Sequence, residues 1–131
     1  MNKTKKIYAL SKIIKNCKKC KLHISRTNVV VGDGNIDTNI IFIGEAPGRN
    51  EDLKGIPFVG RAGKLLNSLL QISNLDRNKV FITSVIKCRP PNNRKPKTDE
   101  LNACINLWMR KQIELINPDL IVILGGVALK S

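Results

Sequence analysis

Three short β-forming runs constrain the fold of this chain more than any other feature: Ile40-Ile41-Phe42-Ile43, Val80 to Ile86, and Leu120-Ile121-Val122-Ile123-Leu124. The first and last are continuously apolar, as expected of strands buried on both faces of a parallel sheet. A helix marked by Leu65, Leu66, Leu69, Leu70 and Ile72 separates the first run from the second. Another separates the second from the third, with Thr98 as N-cap and Leu101, Cys104, Ile105, Trp108 and Ile116 on one side, until Asn117-Pro118 stops it. Upstream, Ile7, Leu10, Ile13 and Ile14 set an amphipathic helix over roughly 4–16, and Val29-Val30-Val31 reads as a short strand closed by Gly32-Asp33-Gly34. The alternation predicts an α/β fold, a three-layer αβα arrangement around a central parallel sheet. At 131 residues the expectation is a single domain, 1–131. Gly125-Gly126 should open another helix, yet only five residues follow, so the domain reads as incomplete at its C-terminus.

Charge narrows the partner. Twenty-three Lys and Arg stand against 10 Asp and Glu, a formal +13. The excess is concentrated: residues 1–26 hold nine basic residues and no acid, and residues 87–97 hold five and no acid. Such patches suit a polyanion, because neutralised phosphates release their condensed counterions. With only Tyr8, Phe42, Phe58, Phe81 and Trp108 as aromatics, a stacking platform for single strands is poorly supplied, so a nucleic acid would be held mainly by its backbone. No apolar run reaches membrane-spanning length and no signal-peptide core follows the basic N-terminus, so the protein is expected to be intracellular and cytoplasmic.

Four cysteines, Cys17, Cys20, Cys88 and Cys104, come from three separate segments. Cys17 and Cys20 form a C-x-x-C pair after a helix, whereas thioredoxin-like redox pairs follow a strand. An intracellular setting disfavours disulfides. Four thiolates can close a zinc site or hold an iron–sulfur cluster, and their number alone does not separate these. Cys104 is also readable as an ordinary buried helix residue.

Gly44-Glu45-Ala46-Pro47-Gly48 follows the first strand directly, at the carboxyl edge where open α/β sheets bind ligands. Glu45, Glu51 and Asp52 put three acids near this edge in a basic protein. They fit base reading or stabilisation of a cation-like transition state better than phosphate contact, although an exposed acidic turn would look the same.

These segments resemble family 4 uracil-DNA glycosylases. The likeness rests on Gly44 to Gly48, Glu51-Asp52, Gly55-Ile56-Pro57-Phe58-Val59-Gly60-Arg61-Ala62-Gly63, the stretch Val80 to Pro91, and Asn93-Arg94; Cys17, Cys20 and Cys104 stand where that family places cluster ligands. The resemblance implies excision of uracil from a flipped-out nucleotide of single- or double-stranded DNA, by a monomer with a structural 4Fe–4S cluster on Cys17, Cys20, Cys88 and Cys104. It implies a uracil pocket from Gly44, Glu45, Ala46, Phe58, Ser84 and Asn93, with Phe58 stacking on the base. It offers Glu45 and Glu51 as catalytic carboxylates. Lys87, Arg89 and Arg94 are expected on the DNA backbone, near the cluster.

Three departures accompany the likeness. Ala46 stands where family 1 enzymes have an Asp, closing that route. Ser84 replaces an Asn whose amide pairs with the uracil edge, and a hydroxyl lacks that fixed bidentate face. The family's later His-Pro-Ser motif is not in the chain, and His23, the only histidine, lies beside the cysteine pair. The expectation is a glycosylase of low or no activity; a non-catalytic iron–sulfur module of the same superfamily and a zinc-stabilised nucleic-acid-binding protein are the alternatives.

Overall fold

The computed structural model describes residues 2–125. The expected features of Gly126 to Ser131 therefore lie outside the described residues. The chain forms α1 (Lys3–Lys15), α2 (Leu22–Ser25), β1 (Asp33–Gly34), β2 (Ile40–Gly44), α3 (Arg49–Lys54), α4 (Arg61–Ile72), β3 (Phe81–Ser84), α5 (Thr98–Cys104), a π-helical turn (Ile105–Met109), α6 (Arg110–Ile116) and β4 (Leu120–Ile123). Sheet order is β1-β3-β2-β4. β2 pairs in parallel with both β3 and β4, while β1 pairs antiparallel with β3. The sheet is thus mixed, with a parallel centre.

Side-chain alternation along β2 divides the core. Ile41 and Ile43 pack with Ile7 of α1, Phe81, Met109 and Ile116 on one face. Phe42 packs with Leu66 and Leu70 of α4 and with Val80 and Ile82 on the other. Helices therefore cover both faces, as the three-layer reading requires. A third apolar cluster joins Leu10, Ile14, Leu22, Val29, Val31, Ile86, Cys88, Cys104 and Trp108. The π turn explains how neighbouring Trp108 and Met109 are both buried. One extra residue per turn shifts the helix face, so Trp108 enters the cysteine-bearing cluster and Met109 the sheet cluster.

Several expectations change. Val29 to Val31 is buried but is not a ladder strand. Val30 N–H bonds the Lys87 carbonyl at 2.7 Å, and the Val31 carbonyl accepts from Thr83 Oγ1 and Gln112 Nε2. The strand falls instead on Asp33–Gly34, within the expected turn. Ile13 is 58% exposed, because Ile7, Leu10 and Ile14 already fill the inner face of α1. The N-cap of α5 is Lys97 rather than Thr98. Among the described residues β4 lies at the edge of the sheet, and its Leu120, Ile121 and Ile123 are 53%, 39% and 41% exposed. No helix among the described residues is long and apolar enough to cross a membrane.

Candidate active site

Beyond the carboxyl ends of β2 and β3 lies a cavity of about 330 Å³, lined by Glu45, Ala46, Pro47, Gly48, Glu51, Phe58, Ala62, Ser84, Pro90, Asn93 and Arg94. Parallel pairing of Gly44 with Ser84 brings the two loops to one edge. Hydrogen bonds from Val85 N–H to the Gly44 carbonyl and from Ile86 N–H to the Glu45 carbonyl continue that register past the strands. Every expected pocket residue except Gly44 lines the cavity, and Gly44 lies directly behind the Phe58 ring.

Phe58 adopts φ +52°, a region an aromatic residue rarely enters without support. Two glycines make room for it. A Cβ on Gly44 would overlap the Phe58 ring, and one on Gly63 would overlap the Phe58 carbonyl. Arg77, which sequence reasoning missed, clamps the same turn: its guanidinium donates to the carbonyls of Pro57 at 2.6 Å and Phe58 at 2.9 Å, and to Asn67 Oδ1. Its only sequence signal was a cation outside both basic stretches. Gly63→Ala is expected to destabilise the chain by about 1–3 kcal/mol through overpacking and to displace the ring. Thermal melting with fluorescence of a bound base analogue checks both, and an unshifted melt with unchanged binding would remove this support from the argument.

The three acids separate into three uses. Asp52 is buried and turned from the cavity, accepting from the N–H groups of Thr27 and Asn28. Glu51 accepts from Gly48 N–H at 3.0 Å and from Val59 and Gly60 N–H at 2.9 Å each. Desolvation pushes its pKa upward, but these backbone donors outweigh that and hold the carboxyl below its ordinary range. With that role, Glu51 ties the Gly44–Gly48 loop to the Phe58 turn. Glu45 lines the cavity, half-buried, and its carboxylate makes no hydrogen bond among the described residues.

The expected phosphate contacts do not stand as a set. Lys87 is buried, and its Nζ donates to Thr83 Oγ1 at 2.6 Å and the Ser84 carbonyl at 2.8 Å. Burial pulls the ammonium down to about 7, against an opposing pull from Cys104. It cannot reach DNA without leaving the core. Arg94 forms a bidentate pair with buried Glu100, Nη1 to Oε1 at 2.8 Å and Nη2 to Oε2 at 2.9 Å. Arg89 Nε donates to Asn93 Oδ1 at 2.7 Å, which engages the amide expected on uracil.

All four cysteines are free thiols beside one apolar cluster: Cys88 and Cys104 are buried within it, and Cys17 and Cys20 pack against it. Burial raises the thiol pKa of Cys20 and Cys88 and takes Cys104 to about 11. Trp108 Nε1 lies 3.2 Å from Cys17 Sγ, and Arg26 Nη1 lies 3.2 Å from Cys88 Sγ. Among the described residues, no three or more His, Cys, Asp or Glu close on a position for one metal ion.

The family model described as "Uracil DNA glycosylase superfamily" matches residues 31–131. The chain is 56% identical over 120 residues to the type-4 uracil-DNA glycosylase of Thermotoga maritima, covering 92% of this chain and 62% of that relative. It is 54% identical over 115 residues to the type-4 uracil-DNA glycosylase of Archaeoglobus fulgidus, covering 88% and 57%. A type-5 uracil-DNA glycosylase of Pyrobaculum aerophilum is 32% identical over 94 residues, covering 72% and 40%. The chain spans about three fifths of the length of the two type-4 relatives named.

Proposed function

The chain belongs to the uracil DNA glycosylase superfamily, and on that premise we propose that it hydrolyses the N-glycosidic bond of a flipped-out deoxyuridine in DNA. The observation that carries this reading is the cavity at the ends of β2 and β3, where Phe58 is held in an unfavourable backbone conformation with its ring on the wall. Strain of that kind persists where the surroundings fix a functional side chain. The base would stack on Phe58, with the Ser84 hydroxyl offering a donor and an acceptor to its edge.

Bond cleavage sends the C1′–N1 electron pair onto uracil and leaves positive charge on the sugar. Glu45 is the acid suited to face that charge, because its carboxylate has no partner among the described residues, whereas Glu51 is bound by three N–H groups. Water then adds its oxygen to C1′, and its proton leaves to Glu45 or solvent. The charge logic is that of glycoside hydrolysis with one carboxylate acting.

Cys17, Cys20, Cys88 and Cys104 would hold a 4Fe–4S cluster. The donor set fits: four thiols, an apolar surround, and N–H donors from Trp108 and Arg26 to two of the sulfurs. Bound there, the cluster supplies a cross-link between the end of α1, the loop after β3 and α5.

Incubation of the 131-residue chain, in excess over a uracil-containing oligonucleotide, should release free uracil, at a low rate because the chain lacks the family's His-Pro-Ser motif. Phe58→Ala should reduce kcat/KM by about 1–3 kcal/mol, the usual value of one aromatic–base stack. DNA binding with no uracil release at any enzyme concentration would reject the glycosylase reading in favour of a non-catalytic binding module.

A further inference from the structure

Lys54 at the end of α3 and Arg61 and Lys64 on the first turn of α4 line a second cavity of about 390 Å³, together with Asn50, Val59 and Gly60. Arg61 and Lys64 are three apart on a helix and so share a face. All three cations are exposed, none makes a salt bridge among the described residues, and no carboxylate lines the cavity. The wall towards the base pocket is thin. Val59 and Gly60 line the basic cavity while their N–H groups bond Glu51, which lines the other.

We propose that this cavity seats a backbone phosphate of the DNA strand whose base enters the neighbouring pocket, a proposal that rests on the uracil-excision reading. A flipped nucleotide carries its flanking phosphates with it, so an anion site one peptide segment from the base pocket lies where the strand must pass. Cations there position the strand without reading its sequence. Of the cations expected on phosphates in the 87–97 loop, Lys87 is buried and Arg94 is paired, whereas the three that line this cavity are exposed and in no salt bridge among the described residues. α1 carries many lysines, but it packs on the opposite face of the sheet from α4.

The test is the salt dependence of binding to labelled duplex DNA, with and without one uracil, using the full chain. The triple variant Lys54→Ala, Arg61→Ala, Lys64→Ala alters exposed side chains only. The slope of log K against log salt should fall by about 0.9, the value for the one phosphate seated. That equals roughly 3- to 4-fold less loss of affinity between about 50 and 200 mM salt. Lys5→Ala with Lys6→Ala, on exposed positions of α1, should leave the slope unchanged. An unchanged slope in the triple variant, an equal fall in the α1 variant, or no DNA binding by the parent chain would each overturn the proposal. Uracil-free DNA reports the phosphate site even if no uracil is released. An unchanged slope in a chain that still releases uracil rejects this site and leaves the glycosylase reading standing.

Discussion

Cys104→Ala should yield a chain without the proposed 4Fe–4S cluster and with a lower melting temperature. Alanine removes the sulfur alone and puts no new polar group into the apolar core, so the loss of iron reports the missing thiolate. Three remaining thiolates leave one iron corner open to solvent. The consequence reaches beyond one position, because Cys17 and Cys20 follow α1, Cys88 follows β3, and Cys104 ends α5. Without a cross-link, these segments meet through the apolar contacts of the third cluster and the hydrogen bonds that Trp108 and Arg26 make to Cys17 and Cys88. Cys20, Cys88 and Cys104 are then held as neutral thiols, since burial raises the first two and takes Cys104 to about 11. Treated as a covalent tie between distant segments, the proposed cluster would contribute on the order of 3–5 kcal/mol. Iron and sulfide analysis of anaerobically purified protein, with melting of parent and variant, checks both halves. Stoichiometric zinc without sulfide in the parent chain would sink the cluster.

Sequence and structure agree where local pattern and tertiary role coincide. The run Ile40 to Ile43 is buried on both faces because helices cover both sides of β2. Leu120 to Ile123 has the same pattern, and among the described residues it lies at the sheet edge. Val29 to Val31 shows a limit of such patterns: burial selects its valines, but their hydrogen bonds go to Lys87, Thr83 and Gln112 rather than to a ladder. α3 was hidden because Arg49-Asn50-Glu51-Asp52-Leu53-Lys54 has almost no apolar face to reveal a helical period. The candidate site was legible as a location, since Gly/Pro-rich chemistry after a buried strand points to a sheet edge. Individual roles were not. A count of three acids cannot show that one faces inward to Thr27 and Asn28, one binds three backbone amides and one lines the cavity. Lys87 makes the same point for charge, because a basic stretch reads as surface until one of its members is found beneath the sheet edge.

Glu51→Ala should damage both stability and chemistry, whereas Glu45→Gln should damage chemistry alone. Removing the Glu51 carboxylate leaves Gly48, Val59 and Gly60 N–H without their acceptor, and water can replace only part of what is lost at a half-buried site. A destabilisation of about 2–4 kcal/mol follows from charge-assisted bonds of this kind. The loop carrying Glu45 and the turn carrying Phe58 are then no longer tied, and a misplacement of about 1 Å at a reacting centre lowers the rate by about 10²-fold. The acid limb of the stability profile supplies an independent readout. Glu51 is held below its ordinary value of 4.5 in the folded chain, so its contribution is fully present above that value and is lost as pH falls through the lower folded value. Glu51→Gln should therefore flatten the acid limb below about pH 4.5, though not abolish it, because Arg94 likewise lowers Glu100. Glu45→Gln should melt with the parent and lose about 10²–10³-fold in kcat, as expected when a group facing transition-state charge is neutralised. If Glu45→Gln keeps full kcat while Glu51→Gln loses kcat but keeps the parent's stability, the roles assigned to the two carboxylates are reversed.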